Sequence, residues 1–488
     1  MPRGSDTHGA RDGASNGADA TRRHFLRALG LLTLLAVVSR LVWVHAIHPP
    51  GEAVFSDMAR YLERAQALAA GREAAHDRHL AWQAWGTHTL MAVVVRLGSD
   101  EAPFRILASL WALMSAAVVP LTSLLCLRVW GRERLAVGAG VLALLWFPHL
   151  SAAGFFSSET PFMLANLLAT WSLLRTWQEG KGAAVTGICC AFAFAIRPQV
   201  ALFFVGVVAT FALTHHAARR GAAVAPRAGA RAFGVIAACL LATLAFSMLR
   251  FERHAGYFGG VAENANMNFT AGRCHNIVTQ AFPDQAAKAR ADERDDDFSG
   301  RRVSLPAFRM LASTGAGHPL ALRPAMGEES LRFVGEVGDP AVHRELRAQC
   351  YARTGWLEQL RYSLVNVSLL WVLNHQWPEA AQRKQFPIVG WLSIVSGWIF
   401  ALVFWIPSTV AALRALGRRG GTEPGAKLCA LQLVTIWVLA AVFFGSLRLR
   451  MPYDPYAWIL AFPLLDAGIQ RLRARVLGAD RVRPRSGG

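Results

Sequence analysis

Nucleotide chemistry has no foothold in this chain. There is no GxxxxGK[ST] loop and no GxGxxG turn placed between a strand and a helix. Without either, no backbone cradle holds a nucleotide's phosphates, which argues against a nucleotide-driven engine. The seven cysteines contain no CxxC or comparable zinc spacing. Charge is scarce: 17% of residues are charged, against about a quarter in a typical soluble domain. Lysine is nearly absent, with four among the 51 basic residues. In place of charge stand 53% hydrophobic residues, 16 Trp and 27 Phe. That balance is too apolar for a soluble domain and too regular for disorder, and it predicts a polytopic membrane protein. A net charge of +19 would suggest nucleic acid in a soluble chain. Arginines gathered in loops on one side of a membrane account for it better, so no nucleic-acid partner is expected.

A spanning helix needs about 20 mostly apolar residues. Ten segments approach this: Ala28–Ile47, Ile106–Leu127, Leu135–Ser158, Thr160–Leu174, Gly182–Ile196, Pro198–Ala218, Ala232–Leu249, Gln385–Leu413, Leu428–Leu447 and Pro455–Gln470. With ten crossings, nearly every basic cluster in a short loop falls on the cytoplasmic side, from Arg128, Arg132 and Arg134 to the tail arginines Arg471–Arg485. Counting Trp82–Leu97 or Tyr362–Trp377 as a single crossing reverses several clusters. Both are therefore read as interfacial or re-entrant. The first helix carries Arg22, Arg23 and Arg27 ahead of it and no clear cleavage site behind it, so it is read as uncleaved.

The expected fold is all-α and polytopic, with about ten transmembrane helices and two long extracytoplasmic segments. Residues 1–24 read as a disordered cytoplasmic tail and 25–250 as an N-terminal membrane module that includes an outer loop at 48–105. Residues 251–384 read as a large extracytoplasmic region, 385–475 as C-terminal transmembrane helices and 476–488 as a basic cytoplasmic tail. The Asp292–Asp297 run reads as a solvated acidic loop, with cation binding as the alternative. Five cysteines fall in spans. Cys274 and Cys350 fall outside, either as a disulfide or as two free thiols.

Four places at or near the outer boundary carry chemistry. Ser56-Asp57 opens an amphipathic helix in which Met58, Leu62, Ala65 and Ala69 recur at helical spacing. Asp57 there either complements the helix dipole or acts on a substrate. Ser158-Glu159-Thr160-Pro161 opens a span, as a cap or as a second functional carboxylate. Arg197 sits before Pro198 between two apolar runs, where a base is costly. Arg40 poses the same question within the first span, with snorkelling as the alternative. Arg448-Leu449-Arg450-Met451-Pro452-Tyr453 joins the last two spans. In extended backbone, residues two apart point the same way, so Arg448 and Arg450 would grip one anion. Contact with lipid headgroups is the alternative.

These motifs occur in an order: an outer S-D-x-x-x-Y-x-x-x-A helix, S-E-T-P-F at a span start, an R-P turn and a terminal R-x-R-x-P loop. In that order and sidedness the chain resembles the GT-C glycosyltransferases, particularly the bacterial protein-mannosyltransferase-like group of family 39 and the lipid A aminoarabinose transferases. Asn264-Ala265-Asn266-Met267-Asn268-Phe269 with Gly272 is similar to an N-x-G-x-N-[FY]-x-x-G-N stretch of that family, with Asn266 in place of a glycine and Arg273 in place of the last Asn. The resemblance implies an inverting transferase. It would move a sugar from a polyprenyl-phosphate donor to a hydroxyl of a lipid, glycan or protein acceptor on the extracytoplasmic face. It implies Asp57 as the catalytic carboxylate, Glu159 as its acidic support, and Arg197, Arg448 and Arg450 around the donor phosphate; Arg40 joins them as a candidate because a base within the first span is costly. Tyr61 and Tyr453 would lie beside the substrate. No cofactor is required, although a divalent metal is compatible with the reading.

Composition points to a GC-rich bacterial genome, hence to the plasma (inner) membrane with membrane lipids as partners, and the sidedness of the basic clusters puts both termini in the cytoplasm. A transporter, or a noncatalytic GT-C-like partner in envelope glycan assembly, is the alternative.

Overall fold

The computed structural model describes residues 9–73, 76–98, 103–219, 226–274, 278–282, 284–286, 288–289, 308–311, 330–335, 338–371, 387–417 and 423–478. The Asp292–Asp297 run and residues 372–377 of the second ambiguous apolar stretch lie outside these. The helices of ten or more residues are α1 Gly9–Val42, α2 Ser56–Ala69, α3 Gly86–Leu97, α4 Pro103–Trp130, α5 Glu133–Leu145, α6 Glu159–Glu179, α7 Ala183–Ile196, α8 Ala201–Arg219, α9 Pro226–Ala255, α10 Asn264–Arg273, α11 Pro340–Ser368, α12 Pro387–Ile399, α13 Ile406–Gly417, α14 Pro424–Val442 and α15 Asp454–Gly478. The architecture is overwhelmingly helical. Among the described residues, five stretches are long and apolar enough to cross a membrane: Arg22–Glu52, Phe104–Trp130, Arg231–Ala255, Ile394–Gly417 and Pro424–Val442. Such a set is compatible with a multi-pass membrane protein.

Helix α3 has 12 residues. At 1.5 Å per residue it reaches only about 18 Å, short of the ~30 Å hydrocarbon core. The five stretches differ in how deeply they are buried. The apolar core of Phe104–Trp130 is 67% buried and that of Arg231–Ala255 only 11%. The first is the centre of the bundle and the second turns most of its apolar surface outward. Helix α6 packs against α4, α7 and α14. A buried polar network ties it in place: Asn166 and Gln432 exchange amide hydrogen bonds of 3.1 and 2.9 Å, and Gln432 Nε2 also donates to Thr170 Oγ1 at 2.9 Å. Away from water, such interhelical bonds fix the register that apolar packing alone leaves loose.

Three features differ from the sequence reading. Residues 9–24, expected as a disordered tail, continue α1 as helix. Extending an existing helix costs far less than nucleating one, and this segment is rich in Ala and Arg. The expected span Leu135–Ser158 is broken at Trp146, whose backbone is extended (ψ 105°), and a short helix Phe147–Ala152 follows. Pro148 in the first turn of that helix has no N–H to continue α5. The region 251–384 also holds a three-stranded sheet: β1 Val278–Phe282, β2 Phe308–Leu311 and β3 Ser330–Val334. Strand β1 is central, antiparallel to β2 and parallel to β3, with Thr279 opposite both Met310 and Leu331.

Candidate active-site cleft

The site begins with α2. Met58, Tyr61, Leu62 and Ala65 are buried, in the i, i+3, i+4, i+7 pattern of one helical face. They pack with Met91, Trp111 and Phe156 from α3, α4 and the segment before α6. Burying each large side chain contributes about 1.5–3 kcal/mol. The opposite edge of the first turn is left free, and Asp57 stands there. Ser56 just before it has φ +50°, a left-handed conformation costing about 1–2 kcal/mol in a non-glycine residue. The cap position is Phe55, which offers no side-chain bond.

Proline chemistry places the second partner. Pro198 disfavours helix at the preceding residue. Arg197 accordingly ends α7 in extended backbone (φ −142°, ψ 97°). Its side chain crosses to the start of α6, where Nε and Nη2 donate to Ser158 Oγ at 3.1 and 2.9 Å, and Nη2 also pairs with Glu159 Oε1. Ser158 therefore binds Arg197 and gives its helix no side-chain cap. Arg197 Nη1 is buried with no hydrogen-bond partner among the described residues.

The third partner comes from the other end of the chain. Arg448 grips Glu159 side-on, Nε to Oε1 and Nη2 to Oε2 at 3.2 Å, and its Nη1 donates to Asp57 Oδ2 at 3.2 Å. Two carboxylates and two guanidiniums thus alternate, with a formal sum of zero. Their surroundings differ. The Glu159 side chain is 2% exposed, whereas that of Asp57 is 33% exposed. Burial pushes the Glu159 carboxyl up, but Arg197 and Arg448 outweigh it and hold the group down at about 2. Burial, with Asp57 beside it, raises the Tyr61 hydroxyl above its ordinary value.

These residues line an open cleft of about 390 Å³ together with Trp82, Gln83, Gln199, Asn264, Asn268 and Ser446. The Asn264–Asn268 stretch thus faces the same space as Asp57. Gly272 explains how α10 gets there: a Cβ at that position would lie 1.4 Å from Phe443 O. Only glycine permits so close a contact with the end of α14. Arg273, where the family pattern has Asn, donates to Ser363 Oγ at 3.1 Å and to Ala441 O. Asn366 Nδ2 donates to the carbonyls of Gly272 and Phe443, each at 3.3 Å. Cys274 and Cys350 form a disulfide (Cα–Cα 5.5 Å) that joins the end of α10 to α11.

Three sequence assignments need correction. Arg450 does not share an anion with Arg448. Residues Leu447–Arg450 are helical, not extended, so the two guanidiniums diverge. Arg450 is buried, donating from Nε to Asp454 Oδ1 at 2.8 Å and from Nη1 to Leu370 O at 2.9 Å, with Phe400 stacked 3.7 Å away. Arg40 neither snorkels nor reaches the cleft. It donates to the carbonyls of Ala143 and Leu144 at 3.0 and 2.9 Å. The helical partner of Leu144 O would be the N–H of residue 148, which is proline. Tyr453 is fully buried against Phe162 and Tyr456 and does not line the cleft. Tyr61 does line it. Outside the cleft, His88 is buried with Nε2 3.4 Å from Arg250 Nη2.

The cleft residues that the sequence reading passed over are Trp82, Gln83, Gln199 and Ser446. None stands in a motif with its own chemistry. Gln199 alone had a signal, following the Arg197-Pro198 turn. Compared with known proteins, the chain matches no family model and no curated sequence.

Proposed function

We propose that this protein is a membrane glycosyltransferase that moves a sugar from a polyprenyl-phosphate donor to an acceptor hydroxyl, with inversion at the anomeric carbon. The observation that carries the reading is the juxtaposition of Asp57, Glu159, Arg197 and Arg448 in one cleft. Four separated segments, at or near the ends of apolar helices, converge on it. The motif order resembling GT-C transferases supports the same assignment.

In this mechanism the acceptor oxygen attacks the anomeric carbon as the bond from that carbon to the donor phosphate oxygen breaks. The acceptor proton passes to Asp57, the accessible carboxylate. The leaving group is a polyprenyl phosphate, which gains negative charge. Proton transfer removes the charge on Asp57 that holds Arg448 in the resting site. Arg448 is then released toward the leaving phosphate as that charge develops, which favours the transition state over the ground state. Arg197 offers Nη1 to the same phosphate. Glu159 is a positioning residue that aims both arginines. Arg450, Arg40 and Tyr453 hold the scaffold and take no part in donor binding.

The proposed arrangement has ten crossings with both termini cytoplasmic, and the cleft and the region 251–384 on the outer face. The prenyl tail lies among the helices while the sugar occupies the cleft. The composition favours a bacterial plasma membrane. Mass spectrometry of glycans and glycolipids from cells with and without the protein tests the reading. A sugar-bearing species that disappears on deletion, with its lipid-linked donor accumulating, supports it. An unchanged glycan and lipid profile opposes it.

A further inference from the structure

The wall of the transfer cleft has a second side. Trp82, Gln83 and Ala84 line the first cleft, whereas Trp85 lines another of about 640 Å³ between the end of α2, α3 and the end of α9. Its apolar walls include Leu68, Val93, Phe246 and Leu249, and its polar side carries Arg96, Arg250 and Arg253. Val93, Phe246 and Leu249 are 53%, 52% and 63% exposed. They continue the outward apolar face of the stretch Arg231–Ala255, and Arg250 follows Leu249 directly where that apolar run ends.

The polar side is partly built into the protein. Glu73 Oε1 lies 3.2 Å from Arg250 Nη2 and 2.9 Å from His254 Nε2, and Arg250 Nη1 donates to Leu80 O at 3.1 Å. Trp85 Nε1 donates to Ser247 Oγ at 2.9 Å, holding its ring across the groove. Arg96 and Arg253 are exposed and have no ion pair among the described residues. The cleft therefore has an excess of positive charge over its one carboxylate, Glu73. A tryptophan and arginines at the end of an apolar helix are the groups that meet lipid headgroups at an interface.

We propose that this second cleft binds an anionic diacyl phospholipid. Arg96 and Arg253, with Arg250 behind them, hold its phosphate, and an acyl chain lies along Phe246 and Leu249. The proposal requires that α9 crosses the membrane and does not depend on the transfer reading. A polyprenyl donor would present its phosphate to Arg197 and Arg448 in the other cleft.

The test is native mass spectrometry of the detergent-purified full chain, titrated with phosphatidylglycerol and with zwitterionic phosphatidylcholine. Wild type should retain phosphatidylglycerol about tenfold better, since each arginine near the surface strengthens anionic-lipid binding severalfold. Arg96→Gln/Arg253→Gln should bring the two lipids near parity. A matched control at exposed positions of α15, Arg473→Gln/Arg475→Gln, should keep the preference. A single Arg253→Glu change, checked by an unchanged melting temperature, should also remove most of it. Equal retention by wild type would overturn the proposal. So would a preference that survives both changes at the cleft.

Discussion

Arg448 Nη1 stands 3.2 Å from Asp57 Oδ2, although 391 positions separate the two residues. The contact closes the chain on itself: a carboxylate after the first apolar helix meets a guanidinium before the last. It also makes Arg448 the bridge between the exposed carboxylate and the buried one.

Arg448→Lys keeps a charge but loses the fork that holds Glu159 and Asp57 together. Donor turnover should fall at least about tenfold, and Arg448→Ala should cost more. Glu159→Gln should loosen both arginines. Because the Glu159 carboxyl is held down at about 2, its stabilising contribution is present above its ordinary pKa and is lost only as pH falls toward 2. The difference in melting temperature between wild type and Glu159→Gln should therefore stay level from pH 7 to about pH 5.5 and shrink progressively as pH falls below the ordinary carboxylate range toward about 2. A difference that vanishes by pH 5 would show that the ion pairs are not formed.

Arg450 and Asp454 form a pair with exposures of 2% and 0%. Trp146 Nε1 also donates to Asp454, at 2.9 Å. Removing one member of such a pair strands a buried charge, at a cost of about 3–5 kcal/mol. Arg450→Ala should lower the melting temperature sharply while the folded fraction binds donor normally. Asp454→Asn should be destabilising in the same direction. Measuring donor affinity per folded molecule separates this from a phosphate contact, which would weaken binding without loss of stability.

The Cys274–Cys350 disulfide closes a loop of 76 positions. In the chain-entropy model such a closure stabilises by up to about 4.5 kcal/mol. Thiol labelling of unreduced, denatured protein should leave both residues unmodified while the other cysteines react. Reduction should loosen the attachment of α10 to α11 and raise proteolysis within 275–349. Free labelling at both positions would show that the bridge is absent from the purified protein.

Reporter fusions read the proposed topology. Those placed after Arg419 and after Arg485 should report cytoplasmic, and one after Asp297 external. A cytoplasmic report at Asp297 would put the region 251–384 on the wrong side for a shared outer site.

Local chemistry was legible in the sequence where one proline or one periodicity decides the backbone. The Arg197-Pro198 turn and the amphipathic face of α2 are of this kind. Asp57, Glu159, Arg197 and Arg448 stood out because charge beside apolar runs is expensive, and they meet in one cleft. Arg450 and Arg40 carried the same signal for a different reason. Their cost is offset by Asp454 and by the carbonyls of Ala143 and Leu144 at the helix break before Pro148, partners that only tertiary structure brings near. The β-sheet was missed because its strands are short and set in a polar region where apolar periodicity is weak. Gln83 reaches the cleft from the segment before α3, which no local pattern encodes, and Asn268 was marked only by the family pattern.

The central claim is tested most directly by sugar release from a labelled polyprenyl-phosphate donor, with purified protein in lipid and an acceptor extract, comparing wild type with Asp57→Asn. The substitution keeps shape but removes the base, and with it the charge that holds Arg448 in the resting site. Wild type should turn over the donor, and Asp57→Asn should do so about 100-fold more slowly or worse while binding it with similar affinity. Near-normal turnover by Asp57→Asn would contradict the account.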